Sequence, residues 1–130
     1  MSYRILLADD NHDFRHMIVE FLRDEGMDVV PCVNGARAIE KLSGGEHFDL
    51  VITDLLMPEA DGIDVASYVR KYHPDIGIVV LSGGGITIDS TDILKAVDDL
   101  ADVVFRKPVC LKSFKKSVFE LLQRRESLLL

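Results

Sequence analysis

Five short apolar segments alternate along the chain with stretches in which apolar residues recur at helical spacing. The short segments are rich in Val, Ile and Leu and are too short for helices, which is typical of β-strands. Their apolar runs are continuous rather than alternating, which indicates strands covered on both faces, as in a parallel sheet. We therefore predict strands at Ile5–Ala8, Asp28–Cys32, Leu50–Thr53, Ile76–Leu81 and Val103–Phe105.

A segment of helical period follows each predicted strand. The clearest apolar stripes run from Phe14 to Leu22 and from Leu111 to Leu122, with the i, i+3, i+4 spacing of an amphipathic helix. Shorter helices are predicted at Ala36–Leu42, Ile63–Tyr72 and Ile93–Ala101. Five strand–helix repeats in 130 residues predict an α/β fold, a doubly wound five-stranded parallel sheet with helices on both faces. We expect one domain over residues 1–130, with a core of about residues 3–125.

Charge and cysteine content narrow the class of function. The chain has 15 Lys and Arg against 22 Asp and Glu, a net charge of −7. This balance argues against direct nucleic-acid binding, which needs a positive face. Cys32 and Cys110 are the only cysteines, too few for a disulfide scaffold, and we expect both thiols to be buried and inert. No apolar run reaches the ~18 residues of a spanning helix, so we expect a cytoplasmic protein without membrane insertion.

Polar side chains follow four of the five predicted strands. Asp9 and Asp10 follow the first strand, Asp54 the third, Ser82 the fourth and Lys107 the fifth. A single aspartate in such a place is often only a helix cap, but four coincident positions are harder to explain in that way. Because ligands of open α/β sheets bind at the carboxyl ends of the strands, we expect these side chains to share one site.

The residue types at this sheet edge suit a phosphoryl group. Converging carboxylates repel one another, and a hard divalent cation such as Mg²⁺ prefers oxygen ligands of this kind. Lys107 adds a compact positive charge and Ser82 a hydroxyl donor. A carboxylate oxygen beside a cation and a lysine can act as the nucleophile toward phosphorus. The residues therefore predict phosphoryl transfer onto an aspartate.

Four motifs in this order resemble the receiver domains of two-component response regulators. They are DD after the first strand, DLLMPEADG after the third, SG after the fourth and KP after the fifth. The similarity covers essentially residues 3–125 and implies a sheet with strand order 2-1-3-4-5. It also implies a signalling switch rather than an ordinary enzyme, one that catalyses its own phosphorylation and slow dephosphorylation.

The resemblance assigns roles to individual residues. Asp54 would be the phospho-acceptor, taking a phosphoryl group from a histidine kinase. Asp9, Asp10 and Asp54 would hold the Mg²⁺ cofactor, together with the backbone carbonyl of Leu56. A polar residue at the position of Leu56 can orient the water that hydrolyses the aspartyl phosphate, so a leucine there predicts slow hydrolysis.

The remaining roles concern phosphoryl binding and partners. Ser82 would be the switch hydroxyl, Lys107 would pair with the phosphoryl group, and a cis peptide bond to Pro108 would aim that lysine. The expected partners are a sensor histidine kinase or phosphotransfer protein, and a downstream effector or a fused output domain outside this chain. The resemblance implies neither direct nucleic-acid binding nor membrane insertion.

Two features of the sequence depart from the receiver pattern. Receivers usually carry Tyr or Phe three residues before the lysine, where this chain has Val104, with Phe105 expected on the opposite face. Gly83–Gly84–Gly85 follow the switch serine. Both departures fall on the face that receivers usually present to partners.

Three alternatives share parts of this pattern. An aspartyl phosphatase of the haloacid dehalogenase type needs a second Asp two residues after its nucleophile, where this chain has Leu56. A flavodoxin-like electron carrier needs a phosphate loop after the first strand, where Asp9 and Asp10 would repel phosphate. A degenerate receiver that only binds partners usually lacks the acceptor, the acid pair or the lysine, all of which are present.

Overall fold

In the computed structural model of the protein, the described residues are 2–57, 59–83 and 91–128. Pro58, from the motif after the third strand, lies outside them, as do Gly84 and Gly85 of the glycine run.

In the described part of the chain, five parallel strands form a single sheet. Their bounds are β1 Arg4–Ala8, β2 Asp28–Cys32, β3 Leu50–Asp54, β4 Gly77–Ser82 and β5 Val103–Arg106. Their order across the sheet is β2-β1-β3-β4-β5, which confirms the predicted fold class and strand order. β3 lies at the centre, and all five of its residues are buried, as its continuous apolar run predicted.

A helix follows every strand. The bounds are α1 His12–Asp24, α2 Gly35–Ser43, α3 Gly62–Tyr72, α4 Thr91–Leu100 and α5 Leu111–Leu128. The side chain of Asn11 accepts the backbone N–H of Phe14 and caps α1, which places the start of the helix ahead of its apolar stripe. α5 continues beyond the stripe that ends at Leu122. No helix among the described residues is both long and apolar enough to cross a membrane.

The sheet separates two apolar layers. One layer contains residues of α1 and α5, including Ile18 and Phe114, and the other contains residues of α2, α3 and α4, including Leu42 and Val69. Alternation along β5 turns Phe105 toward Phe114, with ring centroids 5.5 Å apart. Val104 is 40% exposed, so these two side chains take the opposite faces that the sequence predicted.

The two cysteines differ in exposure. Cys32 is buried as predicted, and burial raises the pKa of its thiol to about 11. Cys110 is exposed, so the prediction of a buried thiol is wrong there. The reason is its position directly before α5, where its carbonyl accepts the N–H of Phe114 and its side chain lies outside both apolar layers. Hydrogen bonding, first from the Ser113 N–H, lowers the pKa of the Cys110 thiol.

Candidate functional site

The predicted site residues gather at the carboxyl edge of the sheet because all five strands run in the same direction. The last residue of β3, Asp54, pairs in register with Leu81, so Ser82 is the next residue along β4. Asp9 directly follows β1. The backbone N–H of Lys107 donates to the carbonyl of Ser82 at 2.8 Å, which ties the residue after β5 to the end of β4.

Three carboxylates form an acidic cluster at this edge. One carboxylate oxygen from each of Asp9, Asp10 and Asp54 lies within 4.8 Å of the others. Asp9 is fully buried and Asp54 is 7% exposed, whereas Asp10 is exposed. An oxygen-only set with one open side fits a hard divalent cation that keeps several waters, as Mg²⁺ does. The donor chemistry therefore suits the cofactor that the sequence predicted.

Asp9 is fixed by its surroundings on both sides. One carboxylate oxygen accepts the backbone N–H of Asn11 at 2.8 Å, and the other lies 2.8 Å from the ammonium nitrogen of Lys107. The guanidinium of Arg15 donates to the Asp9 carbonyl at 2.7 Å. These contacts join the loop after β1 to the first turns of α1, so the buried carboxylate has little freedom to move.

Asp54 has a perturbed carboxyl group. Burial and then the charge of Asp9 raise its pKa from 3.8 to about 6. The charge of Lys107 and the Leu55 N–H, which donates to a carboxylate oxygen at 3.0 Å, act in the opposite direction. Because burial and the charge of Asp9 disfavour the ionised form of Asp54, binding a cation or losing the charge stabilises the folded protein. At pH 7 the Asp54 carboxyl group is still mainly ionised, as a nucleophile must be.

The backbone around Asp54 is held closely by the start of α3. The Gly62 N–H donates to the carbonyl of Leu55 at 2.8 Å. A Cβ atom on Gly62 would lie 2.5 Å from the Asp54 carbonyl oxygen, so a glycine is needed for this approach. The Leu55 N–H also donates to the Leu81 carbonyl at 2.8 Å. The backbone at Asp54 and Leu55 is therefore held by α3 on one side and by β4 on the other.

Lys107 balances part of this negative charge. Its ammonium nitrogen lies 2.8 Å from Asp9 and 3.5 Å from Asp54, and its side chain is only 20% exposed. The Lys107–Pro108 peptide bond is cis, as the resemblance implied. The described structure thus brings one lysine and three aspartates together, with Ser82 at the same edge.

Three contacts at or near the site were not predicted from the sequence. The ring of Phe14, which its spacing assigned to the core, also lies under the Lys107 ammonium, 4.1 Å from nitrogen to ring centroid. The end of β2 contributes a helix cap, because the Asn34 side chain accepts the N–H of Arg37. The backbone N–H of Ala36 then donates to the carbonyl of Glu59 in the loop after β3, at 2.9 Å. An Asn before a helix is a signal for the cap, but nothing in the sequence predicts the other contacts.

Comparisons with known protein families agree with this geometry. The family model described as the response regulator receiver domain matches residues 5–119. The chain is 42% identical over 80 residues to the response regulator receiver protein CpdR of Brucella abortus, an alignment covering 62% of this chain and 66% of that protein. It is 30% identical over 127 residues to the transcriptional regulatory protein SrrA of Staphylococcus aureus, covering 98% of this chain and 51% of SrrA. The chain thus spans half to two thirds of the length of these relatives.

Solved structures share the fold over nearly the whole chain. A response regulator receiver protein from Sinorhizobium medicae is 31% identical with a TM-score of 0.83, covering 95% of this chain and 97% of that one. The response regulator TrrA of Thermotoga maritima, solved in complex with Mg²⁺–BeF, is also 31% identical, with a TM-score of 0.79, covering 92% of this chain and 98% of that one.

Proposed function

The chain belongs to the family of response regulator receiver domains, and we propose that Asp54 is its phospho-acceptor. The observation that carries this assignment is the placement of the Asp54 carboxylate. It is 7% exposed, it shares a cluster with Asp9 and Asp10, and it lies 3.5 Å from the ammonium of Lys107. A nucleophilic oxygen between a cation-binding cluster and a lysine is what transfer of a phosphoryl group requires.

The proposed reaction moves a phosphoryl group from a phosphohistidine to Asp54. A carboxylate oxygen of Asp54 attacks phosphorus, the bond between phosphorus and the histidine nitrogen breaks, and the electron pair of that bond returns to the imidazole. Lys107 stabilises the charge on the phosphoryl oxygens, and we propose that Ser82 donates its hydroxyl to the same group. These roles are positioning and electrostatic stabilisation, which dominate phosphoryl transfer.

The same proposal assigns Mg²⁺ to the acidic cluster. Asp9, Asp10 and Asp54, with the carbonyl of Leu56, would hold the ion. When bound, Mg²⁺ supplies positive charge that neutralises phosphoryl oxygens during transfer. The oxygen-only donor set supports this assignment, as does the similarity to TrrA, which was solved with Mg²⁺–BeF.

The partners follow from the proposed chemistry. The donor is a sensor histidine kinase or a phosphotransfer protein, and the recipient of the signal is a downstream effector or a fused output domain. The relative SrrA is a transcriptional regulatory protein about twice as long as its alignment with this chain, whereas the 80 residues aligned with CpdR make up 66% of that protein, so the relatives include chains of both lengths. We propose that residues 1–130 act as one receiver domain, in the cytoplasm, with slow self-dephosphorylation.

Phosphorylation with a small donor tests the proposal. With Mg²⁺ and acetyl phosphate or phosphoramidate, the protein should gain one acid-stable, base-labile phosphoryl group, measured by intact mass. Asp54→Asn should abolish labelling, whereas Asp98→Asn, which changes an exposed carboxylate on α4, should leave it unchanged. Undiminished labelling of the Asp54→Asn variant would exclude Asp54 as the acceptor. A wild-type protein that takes no label would favour the degenerate, partner-binding receiver.

A further inference from the structure

Phe14 makes a contact with Lys107 that is assigned no role in the phosphoryl transfer proposed above. The ammonium nitrogen lies 4.1 Å from the centroid of the Phe14 ring, well within the range of about 6 Å in which a cation is attracted to an aromatic face. The same nitrogen lies 2.8 Å from Asp9 and 3.5 Å from Asp54. The ammonium therefore sits between two carboxylates and a ring.

The ring has a fixed position relative to the acidic cluster. The backbone N–H of Phe14 donates to the Asn11 side chain at 2.9 Å, in the first turn of α1. The neighbouring residue, Arg15, donates to the carbonyl of Asp9 at 2.7 Å. Phe14 is half-buried and packs against the apolar layer formed with α5. The ring and the Asp9 carboxylate are thus linked through the first turn of α1, and Lys107 reaches both from the residue after β5.

A lysine side chain is flexible and therefore needs more than one contact to hold its ammonium in place. Its long, flexible stem loses rotamer freedom when the ammonium is held in one place. Asp9 is the nearest group that holds it, at 2.8 Å, but under the proposed function Asp9 is also a ligand of the metal. A carboxylate that shares its charge with a divalent cation attracts a lysine less strongly. A phenyl ring has no ligand atom, so its attraction for the ammonium does not compete with the metal.

We infer that Phe14 is a positioning residue, whose ring face holds the Lys107 ammonium at the acidic cluster. The inference rests on the proposed function for its consequence, the rate of phosphorylation, but the contact itself can be tested without any phosphodonor. Loss of the ring should lower the phosphorylation rate about fivefold, the factor to which about 1 kcal/mol of cation–π attraction corresponds.

The first measurement is the NMR shift of the Lys107 ε-methylene protons in metal-free protein. Protons over a ring face are shielded, so these signals should lie upfield of those of other lysines and return to ordinary values in Phe14→Leu. The matched control is Phe21→Leu, because Phe21 is also half-buried, lies on α1 and packs in the same apolar layer. This control should leave the Lys107 signals in place. Ordinary Lys107 shifts in the wild-type protein would overturn the inference.

The second measurement is the rate of phosphorylation by acetyl phosphate at saturating Mg²⁺. Phe14→Leu should be about fivefold slower, while Phe14→Tyr, which keeps the ring, and Phe21→Leu should stay within about twofold of wild type. Progressive fluorination of the Phe14 ring, which weakens the negative face at nearly constant shape, should lower the rate step by step. Equal rates across the fluorinated series, in protein that is labelled on Asp54, would overturn the inference and leave the proposed function intact. Absence of labelling in wild type would instead refute the proposed function, with the NMR shift still deciding whether the contact exists.

Discussion

Replacing the buried Asp54 carboxylate by an amide should stabilise the metal-free protein at neutral pH. The fold raises the pKa of Asp54 from 3.8 to about 6, so the native state holds this proton more tightly than the unfolded chain does. The stability contributed by the proton is present in full below about pH 3.8 and is lost as the pH rises through about 6. Asp54→Asn has no charge to bury, so its advantage over wild type should grow over this same interval.

The magnitude follows from the size of the pKa shift. A shift of roughly two pH units corresponds to about 3 kcal/mol in the free energy of unfolding. The amide places an N–H donor near the Lys107 ammonium, which offsets about 1–2 kcal/mol. The expected net gain at pH 7.5 is therefore about 1–2 kcal/mol, or roughly 4–7 °C in Tm for a domain of this size.

Urea unfolding from pH 4.5 to 8, with a chelator present, measures this difference. The control is Asp98→Asn, because the Asp98 carboxylate is exposed and should give no comparable gain. Added Mg²⁺ should reduce the difference in free energy of unfolding between the two proteins, since wild type gains stability by binding the ion and the variant gains less. A difference in free energy of unfolding that is independent of pH would refute the reasoning, as would an Asp54→Asn variant less stable than wild type at pH 7.5.

Three further results are expected. Without metal, Asp10→Asn should leave the free energy of unfolding unchanged or raise it by under about 1 kcal/mol, because Asp10 is exposed. The same variant should lose Mg²⁺-dependent labelling. Unchanged Mg²⁺ affinity and labelling would mean that Asp9 and Asp10 have a structural role and do not bind the metal. Leu56→Asn should hydrolyse the phosphoryl group roughly tenfold faster at equal Mg²⁺, because one water-orienting hydrogen bond contributes ~1–1.5 kcal/mol. An equal rate in the two proteins would mean that Leu56 does not protect the phosphoryl group from water. A thiol reagent should modify folded protein at the exposed Cys110 and spare the buried Cys32, and rapid loss of both thiols would contradict their assigned burial.

The sheet and the cluster could be predicted because both follow from local patterns. A continuous apolar run such as Leu50–Thr53 indicates a covered strand, and parallel strands bring their carboxyl ends to one edge. The sequence alone therefore predicts that the side chains of Asp9, Asp54 and Lys107 lie together at that edge. Their residue types then narrowed the chemistry to phosphoryl transfer.

What the sequence could not supply are contacts between residues far apart in the chain. Helical spacing assigns Phe14 to the core, and it does pack there, but spacing cannot show that its ring also meets a lysine from another element. Cys110 was wrongly expected to be buried because cysteines are among the residues most often found inside. Its place directly before α5 leaves its side chain exposed, outside both apolar layers.

The most direct test of the central claim is to identify the modified residue chemically. Protein phosphorylated with Mg²⁺ and a small donor would be treated with borohydride, which reduces an aspartyl phosphate to homoserine, and the peptides would be sequenced by mass spectrometry. We predict homoserine at Asp54, with Asp9 and Asp10 recovered unchanged. Homoserine at either of those residues, or label recovered on a histidine, would contradict the assignment of Asp54 as the acceptor.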